Sequence, residues 1–206
     1  MTTPPQTSQT FERIDTALPG VCLLQPRVFG DARGFFLESY HEAKFRALGI
    51  TDRFVQDSHS RSALNVVRGL HYQLNRPQAK LCRVVAGEAL DVVVDIRRGS
   101  PHFGKWISVV LSAKENNQIY IPVGFAHGFL ALTPAVHFLY KCSDLYDAAD
   151  GRGILWNDPQ IGIQWGVVDP IVSPKDAQYS PLKDVPPGEL PVYDEAGHSG
   201  DGRAVR

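Results

Sequence analysis

The sequence predicts an all-β protein, a sandwich or barrel of short strands with a few short helices at its periphery. Three observations predict it. Apolar or alternating runs recur at short intervals from Phe54 to Cys142. Turn residues punctuate them at Gly87, Gly99-Ser100-Pro101, Asn116-Asn117 and Thr133-Pro134. The chain is also rich in turn formers overall, with 18 glycines and 15 prolines. Regular short strands with frequent turns argue against alternating β-α units. A length of 206 residues favours one domain. We place it at residues 11–185. Residues 1–10 are expected to be disordered, and 186–206 to form a flexible tail rich in Pro, Gly and charge.

Taken in order, Val21 to Leu24 reads as a short strand ending before Pro26. Phe29 to Gly34 is a turn, and Phe35 to Glu38 an aromatic strand. A short helix follows. Ser39 and Glu42 have capping-box spacing, and Gly49 after Leu48 is a stop signal. Leu90 to Ile96 is a valine-rich strand. Trp106 to Leu111, Gln118 to Ile121, Gly128 to Leu132 and Val136 to Cys142 complete the series. Phe35, Phe36, Trp106, Trp156 and Trp165 are expected in the core rather than around a ligand. No internal repeat is present.

Composition narrows the function classes. A formal net charge of -1 creates no field that favours nucleic acid or an anionic membrane, so any anionic ligand needs a local cluster of cations. No apolar run is long enough to cross a bilayer. Met1 to Gln9 lacks the charged start and apolar centre of a secretory signal. Cys22, Cys82 and Cys142 are odd in number and widely spaced. They indicate neither a zinc knuckle nor a disulfide framework, but buried reduced thiols. A cytoplasmic location is expected.

The candidate catalyst is His71, in the stretch Asn65 to Gln73. A neutral imidazole is a good general base, and nearby fixed cations can hold the charge that proton abstraction creates. Alternation puts Lys80, Cys82, Val84 and Ala86 on one face of the next strand, where a lysine is costly unless used or paired. Strict alternation puts Arg68 and His71 on opposite faces. Gly69 between them offers a site for a bulge that brings both inward.

Pro122-Val123-Gly124-Phe125-Ala126-His127 resembles the second cupin motif, whose histidine binds a metal inside a jelly roll. The first cupin motif needs two histidines one residue apart, and no such pair occurs. A metal site is therefore not expected. His127 reads either as a substrate-contacting residue of a metal-free cupin or as a structural histidine. Tyr140 shares an inward face with Val136, Phe138 and Cys142, as core or as a proton donor facing a base. Tyr146 lies past that strand, free to stack on a planar ring. Asp176 carries a weak local signal, a helix start after Pro174, but a base such as His71 needs a carboxylate to orient it. Arg33, Glu38, Gln56, Asp57 and Ser58 are polar residues beside aromatic strands.

Together, Val28 to Tyr40, Phe54 to His59, Val67 to Gln73, Gln78 to Gly87, Asp91 to Trp106, Ile121 to Leu130, Leu139 to Tyr146 and Ile154 to Trp165 resemble the dTDP-4-dehydrorhamnose 3,5-epimerase family. The resemblance implies a cupin-type jelly roll without cofactor or metal, a homodimer formed by exchange of N-terminal strands. It implies inversion of C3 and C5 of the nucleotide sugar dTDP-4-dehydro-6-deoxy-glucose, on the path to dTDP-L-rhamnose. Both carbons flank the C4 ketone, so each hydrogen is acidic through the same enolate. By resemblance His71 is the base, oriented by Asp176. Lys80, helped by Arg68, stabilises the enolate oxygen, and Tyr140 returns a proton from the opposite face. Tyr146 matches the residue that stacks on thymine. Arg33, Glu38, Gln56, Asp57, Ser58, His127 and Lys175 match substrate-contacting positions, and the cations among them suit a diphosphate.

Three positions depart from the family pattern. Ser58 replaces a usual asparagine, Leu145 a common tyrosine and Gly151 a frequent glutamate. They bear on substrate contacts, not on reaction type. Two alternatives stay open on sequence: an epimerase acting at C3 or C5 only, and a sugar-nucleotide-binding cupin without turnover. A metal-dependent cupin oxygenase or isomerase is disfavoured by the missing histidine pair.

Overall fold

A computed structural model describes residues 10–194. Two sheets face each other. The strands in chain order are β1 (Phe11–Asp15), β2 (Cys22–Pro26), β3 (Phe29–Asp31), β4 (Gly34–Phe36), β5 (Gln56–Ser62), β6 (Val66–Gln73) and β7 (Lys80–Ala86). β8 (Glu88–Asp95), β9 (Trp106–Ser112), β10 (Gln118–Ile121), β11 (Phe125–Ala131), β12 (Val136–Cys142), β13 (Gly151–Gly153) and β14 (Ile171–Val172) complete them. The first sheet has the order β1-β2-β10-β7-β12-β5, and the second β13-β6-β11-β8-β9 with β14 added in parallel to β6. All other pairings are antiparallel, and the architecture is the β-sandwich of a cupin-like jelly roll.

Alternation explains the packing. Inward residues of both sheets, among them Cys82, Val84, Val93, Phe129 and Phe138, form the central core. The Phe129 and Phe138 rings stack at 4.1 Å from opposite sheets. The outer face of the second sheet (Val67, Leu70, Val92, Val94) is covered by Ile154, Ile161, Trp165, Leu182 and Leu190 from the C-terminal segment. The outer face of the first sheet meets Phe45 of α1 (Glu42–Ala47). The three cysteines are free and buried, as the spacing predicts.

Several expectations need correction. The β2 strand runs through Pro26. Ser39 does not cap α1. The N-cap is His41, with no side-chain hydrogen bond. Gly49 does end that helix, with φ +83. The turn and aromatic strand at 29–38 are one hairpin, closed by Asp31 accepting the Arg33 N–H at 2.8 Å. Phe35 and Phe36 are 64% and 68% exposed, not core, because β3 and β4 pair only with each other. Residues 186–194 are packed rather than loose: Leu190 is buried, the Tyr72 hydroxyl donates to the Glu189 carbonyl, and Val192 bridges to Arg98. Of the stretch 1–10 expected to be disordered, Thr10 is held, its hydroxyl donating to Glu38 at 2.9 Å and its carbonyl accepting the Arg27 N–H at 2.8 Å. Residues 1–9, and the flexibility expected of 195–206, lie outside the described residues. No described helix is long and apolar enough to cross a membrane.

Candidate active site

One end of the sandwich opens into a cavity of about 690 Å³ between the sheets. Its residues follow from strand phase. From β5, β7 and β12 the inward positions are Gln56, Ser58, Lys80 and Tyr140; from β6 and β11 they are Arg68, His71 and His127. Tyr146, Lys175 and Asp176 enter from loops.

The β6 bulge is present at the expected glycine. His127 pairs with His71, but Phe129 pairs with Arg68, so three steps on β6 match two on β11. The extra residue reverses the phase and turns both Arg68 and His71 into the cavity. Gly69 holds φ +137, and a Cβ there would lie 2.5 Å from Gly128 Cα. Only glycine at both positions allows the two backbones to come this close.

His71 and Asp176 lie 105 residues apart yet meet: Nε2 is 2.8 Å from Asp176 Oδ1. Asp176 opens a single 3-10 turn and is 6% exposed, whereas the His71 side chain is 42% exposed. Burial alone pushes the Asp176 carboxyl up; hydrogen bonds from His71, the Gly69 N–H and Ser173 outweigh it and hold the carboxyl below its ordinary value. Donating Nε2–H to that carboxylate leaves the His71 lone pair on Nδ1, the tautomer a base needs.

Tyr140 faces the same cavity from the other sheet. Burial pushes its phenol above the ordinary value, offset only in part by a hydrogen bond with Ser58, its direct cross-strand neighbour. It is thus kept as an acid. The Lys80 ammonium, on that same wall, makes no side-chain hydrogen bond or ion pair with any described residue. Arg68 is steadied by Nε donating to Ser62 Oγ at 3.0 Å. Gln56 accepts the Tyr146 N–H at 2.8 Å and so fixes the loop carrying that aromatic ring.

Three expected residues lie elsewhere. Arg33 sits exposed at the β3–β4 turn, paired with Asp31. Glu38 accepts from Thr10 and Lys44. Asp57 points to the outer face of the first sheet, where its Oδ1 is 2.8 Å from Lys141 Nζ. Two cavity residues, Arg152 and Tyr179, and one residue buried behind the wall, Asp91, were not among the expected site residues. Arg152 is ion-paired with buried Asp150, whose carboxylate also accepts the Asn75 and Arg76 N–H groups at 2.8 Å each. Tyr179 packs against His71, ring centroids 6.0 Å apart. Asp91 holds His127, with Nε2 to Oδ2 at 2.8 Å. The signal for Asp91 was a lone acid inside the valine run Leu90 to Val94. Tyr179 had no local signal.

Cys82, Asp91 and His127 offer three atoms within 4.8 Å of one another. His127 Nε2 and Asp91 Oδ2 are already bonded to each other at 2.8 Å, and the third atom is a thiol buried in the apolar core. The donor set therefore fits a hydrogen-bonded His–Asp pair better than a metal.

A family profile described as dTDP-4-dehydrorhamnose 3,5-epimerase matches residues 15–184. The chain belongs to this family. It is 52% identical over 164 residues to a dTDP-4-dehydrorhamnose 3,5-epimerase of Pseudomonas aeruginosa, covering 79% of this chain and 91% of that one. A Methanothermobacter thermautotrophicus protein of the same description is 46% identical over 186 residues, covering 89% and 98%. The crystal structure of a Legionella pneumophila dTDP-6-deoxy-D-glucose-3,5-epimerase in complex with dTDP-4-keto-L-rhamnose superposes with a TM-score of 0.87. It is 45% identical and covers 89% of this chain and 99% of its own. Family membership thus joins the jelly roll to a cavity that holds a His–Asp pair, an unpaired lysine and a tyrosine.

Proposed function

We propose that this chain inverts C3 and C5 of dTDP-4-dehydro-6-deoxy-D-glucose, giving dTDP-4-dehydro-L-rhamnose. The observation that carries the mechanism is the placement of His71 and Tyr140 on opposite walls of one cavity. His71 Nδ1 removes the proton from a carbon beside the C4 ketone. The C–H electron pair moves onto the C4 oxygen, and the Lys80 ammonium stabilises that enolate. Tyr140 donates its phenolic proton to the opposite face of the same carbon, which inverts it. His71, open to solvent, returns its proton to water, and Tyr140 is reprotonated before the second centre reacts. Arg68, Arg152 and Lys175 give the cavity the positive charge that a diphosphate needs on a near-neutral protein.

Incubation with this substrate in deuterated water containing EDTA tests the reaction. Deuterium is expected at both C3 and C5. Label at one carbon only makes the protein a single epimerase, no label ends the catalytic reading, and a loss caused by EDTA restores a metal.

We further propose that the protein works as a homodimer in the cytoplasm. A two-stranded hairpin carrying exposed Phe29, Phe35 and Phe36 is marginal by itself and marks a contact surface. A second copy that receives this hairpin also receives Arg33 at its tip. That gives Arg33, which matches a substrate-contacting position of the family, a cavity to serve although it lies outside that of its own chain. Three free buried thiols suit a reducing compartment.

A further inference from the structure

Two histidines stand side by side in the cavity wall, each bonded to a carboxylate: Asp176 at the cavity and Asp91 buried behind it. His71 and His127 are direct cross-strand partners on β6 and β11. Each ring bonds its carboxylate through Nε2, at 2.8 Å in both cases. Each therefore carries its free lone pair on Nδ1 in the neutral form, and neither Nδ1 has a partner among the described residues.

The surroundings of the two pairs differ. Asp176 receives a second donor, the Gly69 N–H. Asp91 does not: it is 0% exposed, and its Oδ1 has no hydrogen-bond partner. It shares the inward phase of β8 with Ala89 and Val93, positions belonging to the apolar core. A carboxylate at such a place is costly, and its only return is the bond to His127. Solvent access differs as well. The His71 side chain is 42% exposed and that of His127 8%. A base must pass its proton to water, and only His71 can do so readily. His127 lies deep against Phe138, ring centroids 6.1 Å apart.

We propose that Asp91 is a positioning residue that fixes the His127 tautomer, so that Nδ1 accepts a hydrogen bond from a ring hydroxyl of the sugar. This inference rests on the epimerase reading. A buried acceptor without a partner rejects a ligand that brings no donor. The pair therefore selects hexoses hydroxylated beside the reacting centres, at C2 or C3, and seats the ring against His71. The other ionisable groups around His127 are His71 and Arg68 from β6, Lys80 and Cys82 from β7, and Tyr140 from β12.

The test is calorimetric binding of dTDP-glucose and its 2-deoxy and 3-deoxy analogues, which needs no turnover. Wild-type protein is expected to prefer dTDP-glucose over one analogue by about 10-fold or more. Which analogue is rejected identifies the hydroxyl. In Asp91→Asn that preference falls to near one, with the analogue's own affinity little changed. His127→Phe gives the same loss by removing the acceptor and controls for a misfolded Asp91 variant. Equal weakening of all three ligands, or unchanged preference in both variants, overturns the proposal. So does His71→Ala that still exchanges one carbon, since His127 is then a second base. Preserved selectivity in a wild-type protein that does not turn over overturns the epimerase reading and leaves the His127 assignment standing.

Discussion

Gly153 stands directly across the strand pair from His71, and the ring of Tyr179 fills the place where its side chain would be. A Cβ at 153 would lie 2.2 Å from Tyr179 Cε2. The glycine lets Tyr179 pack edge-on to the imidazole, three residues after the carboxylate that holds it. Gly153→Ala is expected to expel the Tyr179 ring and release His71 from its Asp176 geometry. A misplacement of about 1 Å costs kcat on the order of 100-fold. KM should move far less, as measured by steady-state kinetics. Tyr179→Phe, which keeps the ring, should retain most activity. A Gly153→Ala enzyme with normal kcat would show that the ring does not position the base.

Asp176 links activity to acid stability. Its carboxyl in the folded state lies below the ordinary 3.8. Its stabilising contribution is therefore complete above 3.8 and is lost as pH falls through the lowered folded value. Urea unfolding should show wild type more stable than Asp176→Asn near neutrality, with the difference shrinking below about pH 4. The same variant should lose about 10²–10⁴-fold in kcat, the range for a disabled general base. A stability difference that stays constant into strong acid would mean that the carboxylate charge contributes nothing.

Local sequence made the framework of this site legible and left the long-range parts hidden. Strand phase placed Tyr140, Lys80 and Cys82 inward because β7 and β12 pair in regular register from Val84 to Lys80 and Phe138 to Cys142, the one shift lying beyond them at His137/Phe138. Gly69 marked the bulge because a glycine between Arg68 and His71, both wanted inward, has few other reasons to be there. The capping box at Ser39 misled, since tertiary packing of Phe45 sets where α1 begins. Phe35 and Phe36 read as core because hydrophobicity does not distinguish a strand inside a sheet from a hairpin that pairs only with itself. Asp176 and Tyr179 meet His71 across more than a hundred residues, a closure that no local pattern encodes.

Tyr140 and His71 should separate in an isotope experiment. Tyr140→Phe removes the acid but leaves the base, the lysine and the ring packing. Deuterium from solvent should still enter the substrate through His71, returned to the face it left, while net inversion drops by about 10²–10⁴-fold. His71→Ala should abolish both. Mass and NMR analysis of recovered sugar reads the two processes separately. Equal loss of exchange and inversion in Tyr140→Phe would show that the phenol is needed before the proton leaves.

Subunit mixing decides whether Arg33 serves its own cavity or that of a second copy. Arg33 is 90% exposed at the hairpin tip and is absent from the lining of its own chain's cavity. Arg33→Ala and His71→Ala should each form inactive or weakly active homodimers. In a co-expressed heterodimer, the protomer with intact His71 receives intact Arg33 from the other, so one cavity is whole. The second cavity lacks both. Random assembly makes half the dimers mixed, so recovery should approach about a quarter of wild-type activity. If Arg33 acted within its own chain, neither cavity of the heterodimer would be complete and mixing would restore nothing. Light scattering on the same samples confirms that dimers are present. Activity recovered without them would instead place Arg33 outside the reaction altogether.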